Sequence, residues 1–245
     1  MMRQLIPDLS SIDGQSDLET VYALPASRHV RANFISSIDG VIELKGLSRT
    51  LSGPADRAAF MSMRAVADVV LVGAGTVRAE RYGPIKLDDA ARGRRVERGL
   101  QPLPGLAIVS GTGGLDPRAP IFAASQRPLV LTTALVATER PDLGQVADVV
   151  VCGDDRVDTT FMLDALSERG LVRVLCEGGP TLLKSLLTDH LVDELCLTLS
   201  PVIAGSGHRS LTGDRSFEPP LTFDLVGLLE ADGMLLTRYR SLDRE

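Results

Sequence analysis

The chain contains no tryptophan, only 4% aromatic residues, three cysteines and three histidines among its 245 residues. So few rings leave no stacking platform for single-stranded nucleic acid. A net charge of −6 leaves no basic footprint for DNA or RNA either. Cys152, Cys176 and Cys196 lie far apart in apolar surroundings, without the CxxC pairing that zinc sites use, and read as reduced core thiols of a reducing compartment. His29, His190 and His208 have no ligand spacing between them, so no metal is expected. No apolar run approaches the ~20 residues of a membrane helix. Residues 1–27 carry Asp8, Asp13, Asp17 and Glu19 and no apolar stretch of the kind a secretory signal needs. The expectation is a cytoplasmic protein with a small-molecule partner, binding neither nucleic acid nor membrane.

Familiar nucleotide and hydrolase signatures are missing too. GAGTVR, from Gly73, lacks the third glycine of GxGxxG, and there is no GxxxxGK[ST] loop or GxSxG elbow. Tyr82 and Lys86 have the spacing of the Tyr-xxx-Lys dehydrogenase pair, but that pair needs one helical turn, and Gly83-Pro84 forbids it.

What is present is globular: 44% hydrophobic, 24% charged, mean hydropathy +0.12. After an irregular N-terminal arm (1–27), His29 to Ser36 reads as a strand, and Ser52-Gly53-Pro54 announces a helix with Ala58, Ala59, Met61, Ala65 and Val66 as its apolar stripe. Asp68 to Gly73 reads as a doubly buried strand, and Arg78 to Gly105, without period, as a long loop. Further strands are expected at Leu106–Ser110, Pro128–Thr132, Ala147–Cys152, Val172–Cys176 and Leu191–Pro201. Asp158 caps a helix stopped by Gly170, and Pro180 opens another with Leu182, Leu183, Leu186 and Leu187 on one face. Leu221–Leu229 and Met234–Arg240 read as an antiparallel hairpin. Together these predict one α/β domain over 28–245, a mixed, mostly parallel sheet with helices on both faces.

Three glycine clusters follow strands: Gly73-Ala74-Gly75-Thr76, Gly178-Gly179-Pro180-Thr181 and Ala204-Gly205-Ser206-Gly207. Ligands bind beyond the carboxyl ends of strands in open α/β sheets, so the three are expected to converge on one cleft, with backbone amides approaching a phosphate. Asp39, in Ser36-Ser37-Ile38-Asp39-Gly40, is either turn chemistry or a reagent. Glu177 is either a strand-end carboxylate bound to amides or a site residue. Arg92, Arg94, Arg95 and Arg98 read as a solvated loop face.

Taken as a set, NFISSIDG, LSGPADRAAFMSMRA, DVVLVGAGTVRAE, LCEGGPTLL and LVDELCLTLSPVIAGSG stand in the order and spacing of a known family. From about Val30 to Arg240 the chain resembles the reductase domain of riboflavin biosynthesis, a pyrimidine reductase with a dihydrofolate-reductase-like fold. The resemblance implies reduction of 5-amino-6-(5-phosphoribosylamino)uracil by NADPH, converting ribosyl to ribityl. It places Gly73, Thr76 and the Gly178, Gly179, Pro180, Thr181, Leu182 turn on the cofactor, and Ser48, Arg64 and Glu177 against substrate. It makes Asp39 and Glu177 the acidic catalytic residues. Arg78 stands nearest for the 2′-phosphate that separates NADPH from NADH, with the arginine-rich loop as a second source. A homodimer is implied. The HxE and PCxxC signature of the zinc deaminase joined to bifunctional members is not in the sequence, which puts the deamination step on a separate polypeptide. A dihydrofolate-type reductase and a nucleotide-binding protein without turnover are the alternatives.

Overall fold

The computed structural model describes residues 2–123, 125–205, 209–213 and 216–242. In chain order the elements are β1 (Met2–Ile6), β2 (Ser10–Ile12), α1 (Gln15–Val21), β3 (His29–Ser37), α2 (Pro54–Val66), β4 (Val69–Gly73), α3 (Ala74–Ala79), α4 (Asp89–Glu97), β5 (Gly105–Ser110), β6 (Leu129–Thr132), α5 (Ala134–Glu139), α6 (Leu143–Val146), β7 (Asp148–Val151), α7 (Thr159–Ser167), β8 (Arg173–Cys176), α8 (Pro180–Thr188), β9 (Glu194–Ser200), β10 (Phe223–Ala231) and β11 (Met234–Ser241). One eleven-stranded sheet runs β2-β1-β10-β11-β9-β3-β8-β4-β5-β6-β7. From β9 to β7 its neighbours are parallel, and from β2 to β9 they are antiparallel. This is the mixed sheet the sequence predicts.

Alternate residues of the central strands serve opposite faces. Val70, Val72 and Ile108 pack with Ala55, Ala59, Met63 and Val66 of α2. Val69, Leu71 and Ala107 pack with Met162, Leu163 and Leu166 of α7 and with Leu182, Leu183, Leu186 and Leu187 of α8. Strands buried on both faces need continuous apolar runs, which is why Asp68-Val-Val-Leu-Val-Gly73 reads as it does. Each fully buried leucine contributes about 1.5–3 kcal/mol of transfer free energy. Pro54 and Pro180 open their helices, where a missing N–H costs nothing. Asp158 caps α7 by accepting from the Thr160 and Phe161 amides. The β10–β11 hairpin turns on Asp232 and Gly233, with φ of 55° and 77°, a pair that a two-residue turn of matching twist requires.

Three expectations need correction. The N-terminal arm is not irregular: β1 pairs with β10, and Leu18 and Tyr22 enter the core. The Arg78–Gly105 segment is not all loop, since Asp88 caps α4 by accepting from the Ala91 amide. Nor, beyond Arg92, which pairs with Asp89 at the surface, is its arginine run a solvated face. Arg94 and Arg98 clasp the buried Glu19 of α1 at 2.6 and 2.7 Å. Arg95, 1% exposed, donates to the carbonyls of Arg64, Ala65, Ala67 and Gln101. Three of those carbonyls belong to the end of α2, where helical carbonyls lack internal partners. Burial pushes the Arg95 guanidinium down to about 10.

A second buried network joins the arm to the sheet centre. Glu194 of β9 accepts from Arg31 of β3 at 2.6 Å and from Arg238 of β11 at 3.1 Å. Arg31 and Arg238 also donate to the Tyr22 and Val21 carbonyls at the end of α1. Burial works to raise the Glu194 pKa, but the two guanidiniums hold it at about 2, below its ordinary 4.5.

Two outcomes follow. Arg95→Met leaves the end of α2 without its donor and should lower stability by about 3 kcal/mol, a Tm loss of roughly 6–12 °C in calorimetry; an unchanged Tm contradicts the capping role. Because the Glu194 pKa is depressed on folding, its stabilisation is complete above about pH 4.5 and is lost as pH falls toward 2. The full linkage amounts to about 3 kcal/mol. In urea titrations, the stability gap between wild type and Glu194→Gln should therefore narrow across that window, and a constant gap would refute the linkage.

Candidate active site

The carboxyl ends of β3, β4, β5 and β8 open onto one cavity of about 1100 Å³. Its floor forms where two strand-to-helix turns touch. The Gly73 amide donates to the Gly178 carbonyl at 2.6 Å. A Cβ at Gly73 would stand 3.3 Å from the Gly179 nitrogen, and one at Gly179 would stand 2.7 Å from the Thr76 hydroxyl oxygen. Gly178 has φ of 92°, with the Phe34 ring 3.1 Å from where its Cβ would be. Glycine is required here for close approach as well as for conformation. Behind the turn, Gly179, Pro180, Thr181 and Leu182 at the start of α8 line the cavity, at the positive end of the helix dipole.

The opposite wall is α2 and carries the charged centre. Arg64 grips Glu177 with two hydrogen bonds of 2.7 Å, from Nε to Oε1 and from a terminal nitrogen to Oε2. The Tyr82 hydroxyl donates to Glu177 Oε2, and the Phe60 ring lies 4.2 Å from the Arg64 guanidinium carbon. Glu177 is 4% exposed and Arg64 12%. Burial lowers the pKa of a lone arginine, yet the Glu177 carboxylate holds Arg64 above its ordinary value. Burial, reinforced by Glu177, keeps Tyr82 well above 10, so it remains a phenol at neutral pH. Two-pronged arginine–carboxylate geometry fixes orientation as well as charge.

Of the residues expected in the site, Ser48, Arg64, Gly73, Thr76, Arg78, Glu177, Gly179, Pro180, Thr181 and Leu182 line this cavity. Gly178 lies directly beneath it, shaping the turn. The Ser48 hydroxyl and amide both donate to Glu80, at 2.9 and 2.8 Å. Arg78 donates to the Gly114 carbonyl at 2.7 Å on the rim. Glu177 binds side chains, not the amides of its own turn.

The described part of the third glycine corner does not join the other two. Ala204 and Gly205 are absent from the cavity lining, and Ser206, Gly207 and His208 fall outside the described residues. The physical reason is Asp39. Its carboxylate accepts from the Ser37 hydroxyl and from the Ala204 and Gly205 amides, at 2.5, 3.1 and 2.7 Å, using up those donors. These bonds, the Ser37 hydroxyl foremost, hold the exposed carboxyl down at about 2. Asp39 therefore does not border the cavity as expected; it ties the end of β3 to the segment whose Arg209 carbonyl accepts from the Ile42 amide at 3.0 Å, and Ile42 and Arg209 are lining residues. Tyr82, Phe60 and Glu80 are site residues that sequence reading missed. In the sequence Tyr82 stands out only by its spacing to Lys86. Phe60 and Arg64, four apart on one helix, were the available signal for the second.

The RibD C-terminal domain family matches residues 28–235. The chain belongs to that family. A reductase of Archaeoglobus fulgidus, 2,5-diamino-6-ribosylamino-4(3H)-pyrimidinone 5′-phosphate reductase, is 30% identical over 179 residues, covering 72% of this chain and 82% of that one. RibD of Mycobacterium tuberculosis is 29% identical over 217 residues, 88% of this chain but 51% of RibD, so the match spans about half of that longer protein. A pyrimidine reductase-like protein of Corynebacterium diphtheriae superposes with a TM-score of 0.78 at 28% identity, covering 92% and 98% of the two chains. The yeast riboflavin biosynthesis reductase Rib7, at 18% identity and a TM-score of 0.64, shares the fold.

The two carboxylates differ in their surroundings, Glu177 buried against Arg64 and Asp39 exposed and bound to loop amides. Glu177→Gln should cut turnover by about a hundredfold, because it leaves Arg64 buried without its counter-charge. Asp39→Asn, altering only the anchored loop, should act more mildly and chiefly on KM. Steady-state kinetics with a thermal melt decide: if Asp39→Asn abolishes kcat while the melt is unchanged, Asp39 takes part in the chemistry.

Proposed function

We propose that this RibD-family chain reduces 5-amino-6-(5-phosphoribosylamino)uracil with NADPH, converting the ribosyl group to ribityl. The observation that carries the reading is the juxtaposition of the glycine cradle at Gly73 and Gly179 with the Arg64–Glu177 pair in one cavity. The cradle suits a dinucleotide, since glycine at Gly73 and Gly179 lets the two turns and the Thr76 hydroxyl close together at the start of α8, where backbone amides can meet a pyrophosphate. Gly73, Thr76 and the Gly179–Leu182 turn would hold the phosphates and ribose, with Arg78 reaching for the 2′-phosphate. When bound, NADPH supplies the hydride taken up at C1 of the opened sugar.

The chain's residues orient the acceptor. Glu177 Oε2 accepts from both Arg64 and Tyr82, while Oε1 accepts from Arg64 alone. Oε1 thus keeps a lone pair for a substrate hydroxyl or N–H, which makes Glu177 a substrate-orienting acceptor. Phe60 stacks under Arg64 and keeps water from its rear face.

A second substrate is favoured by the name of the Archaeoglobus relative, whose pyrimidinone carries an additional amino group. Purified protein with NADPH should therefore be offered both ribosylamino-pyrimidine phosphates and dihydrofolate, following loss of nicotinamide absorbance. Turnover of a ribosylamino-pyrimidine and not of dihydrofolate is expected. NADPH binding with no turnover of any substrate would leave the non-catalytic reading instead. Arg78→Glu should raise KM for NADPH by about tenfold or more, the scale of a lost charge-assisted hydrogen bond, and leave NADH use nearly unchanged. Equal effects on both cofactors would count against Arg78.

A further inference from the structure

The N-terminal arm reaches the charged centre of the cavity through α4. Glu19 of α1 is fully buried, and among the described residues its carboxylate meets only α4: Arg94 donates to both oxygens, most closely at 2.6 Å, and Arg98 to Oε2 at 2.7 Å. Little else holds that helix. Apart from Arg95 its only buried residue is Ala91, in a small cluster with Ala65 and Leu87. Arg95 plants the other side of α4 on the last turn of α2, donating to the Arg64 and Ala65 carbonyls at 3.2 and 3.1 Å. α4 is therefore wedged between α1 and the end of the helix that carries Arg64. From its Asp88 cap the chain leads back, past the buried Leu87 and Ile85, to Tyr82. The Tyr82 hydroxyl accepts from Arg64 at 2.5 Å and donates to Glu177. The preceding residue, Arg81, has φ of 48°. A side chain in that left-handed conformation is strained and stays there only when its surroundings over-determine it.

We infer that Glu19 is a positioning residue for the reaction: by clamping α4 against α1 it holds the Tyr82 hydroxyl on Glu177 and Arg64. The inference rests on the reductase reading. The RibD match begins at residue 28, so α1 lies outside it and the clamp is an addition made by this chain's own arm. Charge-assisted hydrogen bonds are short and directional, and a buried carboxylate between two guanidiniums makes a stiff tie. Slack in that tie is transmitted to Tyr82, and a displacement of about 1 Å at an orienting group can cost on the order of a hundredfold in rate. The cofactor cradle is not on this route, because Gly73 is tied to Gly178 and, among the described residues, no hydrogen bond joins either of them to α1 or α4.

The test is a double-mutant cycle between Glu19→Gln and Tyr82→Phe. Glu19→Gln keeps the volume and one acceptor oxygen but gives up the charge, and should lower kcat for the ribosylamino-pyrimidine about 10- to 100-fold. Its Kd for NADPH, titrated by fluorescence without substrate, should stay within about twofold, as expected of an independent site. In the Tyr82→Phe background the same substitution should cost less than about threefold in kcat, because the group it positions is already gone. Phenolate absorbance gives a second reading that needs no turnover. Burial, reinforced by Glu177, holds Tyr82 well above 10. In a rapid jump to about pH 10, the ordinary tyrosine value, Glu19→Gln should therefore form more phenolate than wild type, and the excess should vanish in Glu19→Gln/Tyr82→Phe. An unchanged kcat, equal kcat losses in both backgrounds, NADPH affinity falling in step with kcat, or no excess phenolate overturns the assignment. Should Glu19→Gln melt below the assay temperature, Arg98→Met, which leaves Glu19 paired with Arg94, takes its place in the cycle. Wild-type protein that reduces neither pyrimidine removes the reductase reading, and the phenolate comparison then decides the clamp by itself.

Discussion

Two backbone turns touching without side chains between them set the terms for everything else in this molecule. The Gly73 amide reaches the Gly178 carbonyl where a Cβ on Gly73 would stand 3.3 Å from the Gly179 nitrogen, and Gly178 makes its turn against the Phe34 ring. That contact brings the ends of β4 and β8 together under the first turn of α8, and with them the amides suited to a phosphate-bearing ligand. It also directs Glu177, one residue before the contact, toward α2 and Arg64. A single methyl group at Gly179 would have to displace the Thr76 hydroxyl.

The arginines then hold the walls against this floor. Arg64 needs Glu177 because a buried guanidinium without a counter-charge is costly. Its helix in turn ends on Arg95, which gathers the last carbonyls of α2. Arg94 and Arg98 secure α4 through Glu19, and Arg31 and Arg238 secure the end of α1 through Glu194. The polar groups of the interior thus form a chain of dependencies running from the N-terminal strands to the charged centre of the cavity. Arg64 and Glu177 balance one to one, whereas Glu19 and Glu194 each meet two guanidiniums and Arg95 is held by carbonyls alone, so every buried charge has hydrogen-bond partners.

How far the sequence was readable follows the range of the forces involved. Asp68–Gly73 and Arg173–Cys176 were legible because burial on both faces demands an unbroken apolar run. The helices at Pro54 and Pro180 were legible because their start signals are local. α4 was not, since it presents few apolar residues and is held by Glu19, some 75 residues earlier in the chain. Asp39 shows the same limit in the site. Its type and turn position fitted either role, and only the approach of the Ala204–Gly205 amides tied its carboxylate to a loop.

By itself the sequence determined the α/β alternation, the hairpin at Asp232-Gly233 and the membership of a reductase family, because periodicity, turn chemistry and motif order are written residue by residue. Tertiary structure alone decided that the Gly73 and Gly178 corners meet, that Tyr82 and Phe60 join Arg64 and Glu177, and that Arg94, Arg95 and Arg98 brace helices. Those outcomes depend on partners far apart along the chain, and hydrogen bonds and counter-charges are chosen by proximity in space.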